Sequence, residues 1–298
     1  MRKQANRGAL LRYIGALLLF GSNGVVASRI ALSSEQIVLL RTLIGTVALA
    51  GFFFLGRNKL RFFRYKGDFL FLMLSGLVMG IHWIFLYEAY RQVGVGVATL
   101  LCYCGPVIVM ALSGLVFGER LTRWKLAGFA AVLLGVFLLN WEPPGQELNR
   151  FGIFCGVMSA VLYAGMIILN KKAARIQGVE NSMLQLLFAF TAVAVVVVLR
   201  GELPRGISMA SWPWILMLGL FNTGVGCWLY FSSIGKLPVQ TVSVVGYLEP
   251  VSAVLFGTVF LHQVLDPAAW AGAALILGGA AFAELYRGEN KTTKEALR

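Results

Sequence analysis

The chain has 298 residues, 58% hydrophobic and only 13% charged, where soluble domains average about 25% charged. Its formal net charge of +13 would point to nucleic acid in a soluble protein; in a chain this apolar, the position of each charge decides instead. With two histidines and no HExxH, Walker-type or dinucleotide-binding pattern, the sequence speaks against metal hydrolysis and ATP-driven chemistry, and no cofactor is expected.

A helix crossing a ~30 Å hydrocarbon layer needs about 20 apolar residues, and ten such stretches follow one another from Ala9 to Tyr286. Arg2, Lys3, Arg7 and Arg12 lead into the first, 11–30. No small-residue cleavage site ends it, so it reads as a retained span, with Asn23 a candidate cavity amide. The second, 36–55, carries Arg41 toward its outer end; the side chain can snorkel to the interface or clamp a carboxylate. In the third, 68–91, Trp83 and Tyr87 form an i, i+4 pair. His82 beside them is either a satisfied core donor or a group titrating near neutral pH.

The fourth span, 94–117, holds Tyr103 and Pro106. Cys102 and Cys104 fall on nearly opposite helix faces there and cannot share a metal, so no metal site is expected. After the fifth span, 123–140, Pro143, Pro144 and Gly145 cannot continue a helix, and 141–150 reads as a linker. The sixth span, 151–170, sets Ser159, Tyr163 and Asn170 along one stripe; the seventh is 182–199 and the eighth, 211–233, contains Asn222. The ninth, 239–261, has Ser243 and Tyr247 on one face, then Glu249 and Pro250 near the midplane. The tenth is 268–286, followed by a tail, 287–298.

Ionisable groups at bilayer depth are functional candidates because they need a cavity or a partner. Glu249 leads: it can contact a substrate ammonium, carry a proton, or sit neutral between helices. Proline removes a helix hydrogen bond and frees a carbonyl, so Pro106 and Pro250 predict kinks. Tyr103, Tyr163 and Tyr247 offer an apolar ring with a polar tip, suited to an amphipathic solute or to packing. The Gly76/Gly80, Gly114/Gly118 and Gly152/Gly156 pairs permit close helix approach. A monomer is expected, with a dimer as the alternative.

With the N-terminus in the cytoplasm, twenty of the 26 Lys and Arg residues fall in cytoplasmic segments and five on the other side. The positive-inside rule therefore puts both tails inside. At an offset of 144, residues 103–136 match a second copy at nine positions, Tyr103/Tyr247 and Pro106/Pro250 among them. Five spans per copy is odd, so tandem copies must lie upside down relative to each other, an architecture that recurs in secondary transporters. The expected fold is an all-α membrane protein: ten transmembrane helices built from two inverted five-helix repeats, 9–140 and 151–286, around a central cavity.

Gly118, Glu119, Leu121 and Thr122 closing span four, with Pro106 before them, resemble the EamA-type repeat of the drug/metabolite transporter superfamily. Arg41 and the Leu86-Tyr87 and Leu229-Tyr230 pairs fit it as well. Within the superfamily the chain is most similar to bacterial amino acid exporters of the YddG type. The second copy departs, with Gln263, Asp266 and Gln185 at the positions of Glu119, Thr122 and Arg41. The resemblance implies a ten-helix fold, a central substrate cavity and alternating access. The expected function is export of small amphipathic metabolites, neutral and aromatic amino acids first, from the cytoplasm across a bacterial inner membrane. Exporters of other metabolites or drugs, a membrane-embedded enzyme and a channel are the alternatives. The partners expected are the amino acid substrate and the lipid bilayer, with no nucleic acid.

Overall fold

The structure, a computed structural model, describes residues 2–118, 123–139 and 149–261 and nine positions between 267 and 282. The 119–122 stretch, the linker at 141–148, most of the tenth expected span and the C-terminal tail lie outside the described residues. In chain order the helices are α1 (Arg2–Gly21), α2 (Asn23–Ala27), α3 (Ser34–Leu55), α4 (Lys66–Cys102), α5 (Cys104–Phe117) and α6 (Arg123–Leu139). There follow α7 (Arg150–Lys172), α8 (Val179–Arg200), α9 (Trp212–Leu216), a π-helix (Met217–Val225), α10 (Gly226–Ile234), α11 (Val239–Gly246) and α12 (Leu248–Leu261).

Among the described residues, six helical stretches are long and apolar enough to cross a membrane, and they coincide with expected spans one, two, three, six, seven and eight. Leu55, Leu115 and Leu199 lie more than four-fifths exposed on the outside of the bundle, as a lipid-facing surface requires.

Local chemistry places several ends. Ser33 starts α3 with a capping box, its hydroxyl accepting from the Gln36 N–H while the Gln36 side chain accepts from the Ser33 N–H. Proline has no N–H to give to the carbonyl four residues back, here Cys102 for Pro106 and Gly246 for Pro250. Helix stops at those two residues, and both breaks fall on single residues, Tyr103 and Tyr247.

The expected break between spans three and four at 92–93 is not a break in helix, since helical residues run on from Lys66 to Cys102. Contacts with α7 show where the chain turns. Ser75 bonds to Met166, His82 to Ser159, and Gln92 to Asn149, so the first part runs antiparallel to α7. Leu101 then lies against Gly156 and Gly105 against Tyr163, the parallel sense. The direction reverses between Gln92 and Leu101, making two passes. Helical residues adjoin across the turn without a gap, which hides it from a reading based on breaker residues.

The repeats interlock. Span one packs on eight and nine as span six packs on three and four; span two packs on eight as seven packs on three. Exchanging the copies exchanges these contacts. Glu35 at the start of α3 bonds to Arg200 at the end of α8, and Gly45 meets Leu186 farther along. The two corresponding spans thus run in opposite directions.

Glycines carry the close approaches. A Cβ on Gly76 or Gly80 would press on the backbone of α8, and one on Gly152 or Gly156 on Val93 or Leu101. Gly118 differs: it ends a helix at φ +64, with open space around it.

Candidate functional site

Spans one, two, three, four, six, eight and nine enclose a cavity of about 370 Å³, span two through Arg41. Span three contributes Met79, His82, Trp83, Leu86, Tyr87 and Tyr90, one helical stripe. Span eight contributes Cys227, Tyr230 and Phe231, and spans four, six and nine add Tyr103, Tyr163 and Glu249. The cavity reaches the surface at Gly24 and Ser28, both exposed, on the end of the bundle where Glu35 pairs with Arg200.

At the opposite end the described residues are tied together and leave no opening. There Asp68 takes the backbone N–H and two guanidinium hydrogens of Arg175, whose protonated form these bonds hold more firmly than usual. Glu180 accepts the backbone N–H groups of Arg61 and Phe62, and Tyr13 donates to the Val242 carbonyl at 2.8 Å.

Arg41 is 2% exposed and points inward, so the snorkelling reading fails. Its guanidinium lies 4.6 Å from the Trp83 ring centre, close enough for a cation–π contact. Nε donates to the Thr223 hydroxyl at 2.9 Å and Nη1 to the Tyr87 hydroxyl at 3.1 Å. Thr223 itself donates to the Leu218 carbonyl, five residues back, at 2.7 Å. That reach belongs to the π-helix, where the backbone closes five-residue turns, a feature frequent at functional sites. Trp83, Tyr87 and Arg41 thus form one unit.

Glu249 is half-buried on the cavity wall, and its carboxylate has no hydrogen-bond or ion-pair partner among the described residues. Its repeat counterpart, 144 positions earlier in the sequence, is Gly105. A side chain there would collide with Tyr163, so the glycine lets Tyr163 reach the cavity. Arg41's counterpart, Gln185, is fully buried: it accepts from Asn170 at 3.1 Å and donates to Ser75 at 2.9 Å. One charge therefore comes from each copy, and each has a neutral mate.

The other expected site residues fall as follows. His82 donates from Nδ1 to the Ser159 carbonyl at 2.9 Å, which leaves Nε2 as the acceptor in the neutral ring. Tyr163 stands beside it, within 3.3 Å of the Tyr230 hydroxyl. Asn23 lines the cavity and accepts from Asn222 at 3.0 Å. Asn222 is buried behind it, donating also to Leu19 and Ser22 where span one breaks between α1 and α2. That break is absent from the sequence reading. Tyr247 is fully buried behind Tyr103 and, like Pro250, is not on the cavity wall, whereas Pro106 is. The Ser243 side chain lies outside the described residues. Cys102 faces the cavity and Cys104 the exterior.

Met79, Tyr90, Met166, Tyr230 and Thr223 are site residues beyond those expected from the sequence. The first two continue the Trp83 and Tyr87 stripe at helical spacing, and Tyr230 stands in the pair that echoes Leu86 and Tyr87. Thr223 carries no signal, because it reaches Arg41 only through the π-helix.

The family model described as EamA-like transporter family matches residues 7–141 and 150–284. The uncharacterized transporter YxxF of Bacillus subtilis is 25% identical over 96% of this chain and 93% of its own length. A probable amino-acid metabolite efflux pump of Salmonella typhimurium is 27% identical over 78% of this chain and 80% of its own. A solved crystal structure aligns with TM-score 0.79 at 21% identity, covering 93% of this chain and 98% of that one, a likeness of fold alone.

Proposed function

Because the chain belongs to the EamA-like transporter family, we propose that it is a secondary transporter that exports neutral and aromatic amino acids by alternating access. In this reading ten helices, five per inverted repeat, cross a bacterial inner membrane with both tails in the cytoplasm. The observation that carries the substrate class is a cavity with aromatic walls where, among the described residues, one cation, Arg41, and one carboxylate, Glu249, both lack an ion pair at contact distance. The name of the Salmonella relative supports the same class.

The aromatic walls read the side chain loosely, since misfit of one methylene costs only ~1–3 kcal/mol in an apolar pocket. Sugars and nucleotides are poorly accepted. Transport is facilitated or weakly proton-linked, because neither Glu249 nor His82 has a second acid beside it among the described residues to form a relay.

The experiment is a substrate panel in proteoliposomes with and without a pH gradient. Saturable counterflow of neutral and aromatic amino acids is expected. Glu249→Gln should lower it roughly ten- to a hundredfold, the weight of one charge-assisted bond at ~1.5–3 kcal/mol. If a dozen amino acids fail to inhibit while a sugar or nucleotide does, the amino acid assignment falls and the carrier reading stays.

A further inference from the structure

We propose that Arg41 is the specificity-determining clamp of the cavity, which makes a free carboxylate on the transported solute obligatory. The inference rests on the amino acid reading and sharpens it.

A guanidinium has five N–H donors in a fixed fork. Thr223 takes the one on Nε and Tyr87 one on Nη1, leaving three. A buried cation needs a counter-charge, since losing water is expensive in the membrane interior. Arg41 has no ion pair among the described residues, and Glu249, the one carboxylate on the cavity wall, does not meet it. Both charges stand open in one chamber. A zwitterion satisfies both, with its carboxylate on the planar fork, which suits two-point binding, and its ammonium on Glu249. An amine without a carboxylate meets an unpaired cation, and an anion without an amine meets an unpaired carboxylate.

The clamp is built rather than incidental. Trp83 covers one face of the guanidinium. Thr223 spends its single hydrogen on Leu218, so its oxygen can only accept, and it accepts from Arg41. Thr223 is therefore a positioning residue, fixed in its role by the π-helix.

The test is inhibition of labelled phenylalanine counterflow in proteoliposomes by unlabelled phenylalanine, phenylalaninamide and 3-phenylpropionate. Wild type should favour phenylalanine over the amide by thirtyfold or more, and Arg41→Gln should shrink that ratio below threefold. Glu249→Gln should keep the discrimination against the amide and lose that against phenylpropionate. Thr223→Val should raise KM with little change in kcat, and Thr223→Ser should restore it. An amide that competes as well as phenylalanine in wild type overturns the clamp, as does an Arg41→Gln protein that still rejects it. If Arg41→Gln does not fold, Tyr87→Phe decides: a ratio reduced at least threefold supports the clamp, and an unchanged ratio overturns it. If no amino acid supports counterflow, the amino acid reading falls, and phenylpropionate is used as a thermal-shift probe. Stabilisation lost in Tyr87→Phe then keeps the clamp, and its absence in wild type removes it.

Discussion

The hydroxyl of Tyr247 donates to the main-chain carbonyl of Tyr103 at 2.7 Å, and the two residues are counterparts, 144 positions apart. Residues related by a two-fold axis can touch only near that axis, so the pair marks the centre of the molecule. The bond is one-sided: the opposite donor, Tyr103 to the Tyr247 carbonyl, is not made. When inverted repeats trade shapes during alternating access, the one-sidedness should reverse.

Tyr247→Phe should therefore disfavour the state seen here, open on the Glu35 side, while Tyr103→Phe should favour it or leave it unchanged. A hydrogen bond is worth about 1 kcal/mol, roughly fivefold in population. The readout is labelling of Ser28→Cys at the cavity mouth by an impermeant maleimide, with the native cysteines replaced. Equal effects from the two variants would show that the pair does not report the switch.

Disabling the shut end should push the same way. Asp68→Asn removes the anion that holds Arg175, and Ser28→Cys labelling should slow. The shift should be smaller than for Tyr247→Phe, because Arg175 is 63% exposed and solvent screens the pair.

Gly80→Ala should destabilise the protein by about 1–3 kcal/mol through overpacking, since its Cβ would sit 2.5 Å from the Ala189 carbonyl oxygen. Gly51→Ala, with nothing within 4 Å, should be neutral or stabilising by up to ~1 kcal/mol. Thermal unfolding in detergent distinguishes the two; similar losses would mean the α4–α8 contact is not a tight one.

Gln185→Leu should cost about 1–3 kcal/mol in the same assay, because Asn170 and Ser75 lose a partner in a site that water does not reach. Activity per folded molecule should change little, as Gln185 is not on the cavity wall.

What was legible in the sequence was what each segment carries within itself. Apolar length gave six spans to within a few residues, and Pro106 and Pro250 each stand four residues after the residue where helix stops. The repeat was readable from Tyr and Pro at one offset. Features that depend on a neighbour were not. The break at Ser22 is completed by Asn222, the π-helix shows only in its hydrogen bonds, and the reversal between spans three and four falls where helical residues adjoin without a gap. Arg41 is a candidate from its depth in the sequence, but its direction is set by Trp83, Tyr87 and Thr223 on two other spans. Tyr247 stands only two residues before Glu249, yet only the three-dimensional arrangement puts one behind Tyr103 and the other on the wall.

The neutral mate of Arg41 bears on the return stroke. If the halves trade shapes, Arg41 moves into surroundings like those Gln185 has now. The amides and hydroxyl around Gln185, on Asn170, Asn181 and Ser75, correspond to Val26, Ile37 and Leu218, the last because Gly76 meets Phe188 as Gly219 meets Ile44. None of these side chains can accept a hydrogen bond. A bare guanidinium would enter a dry, apolar slot, whereas one already covered by a cargo carboxylate would enter as a neutral pair. The empty carrier should then cycle back slowly and the loaded one quickly, so exchange of solute for solute should outpace net efflux.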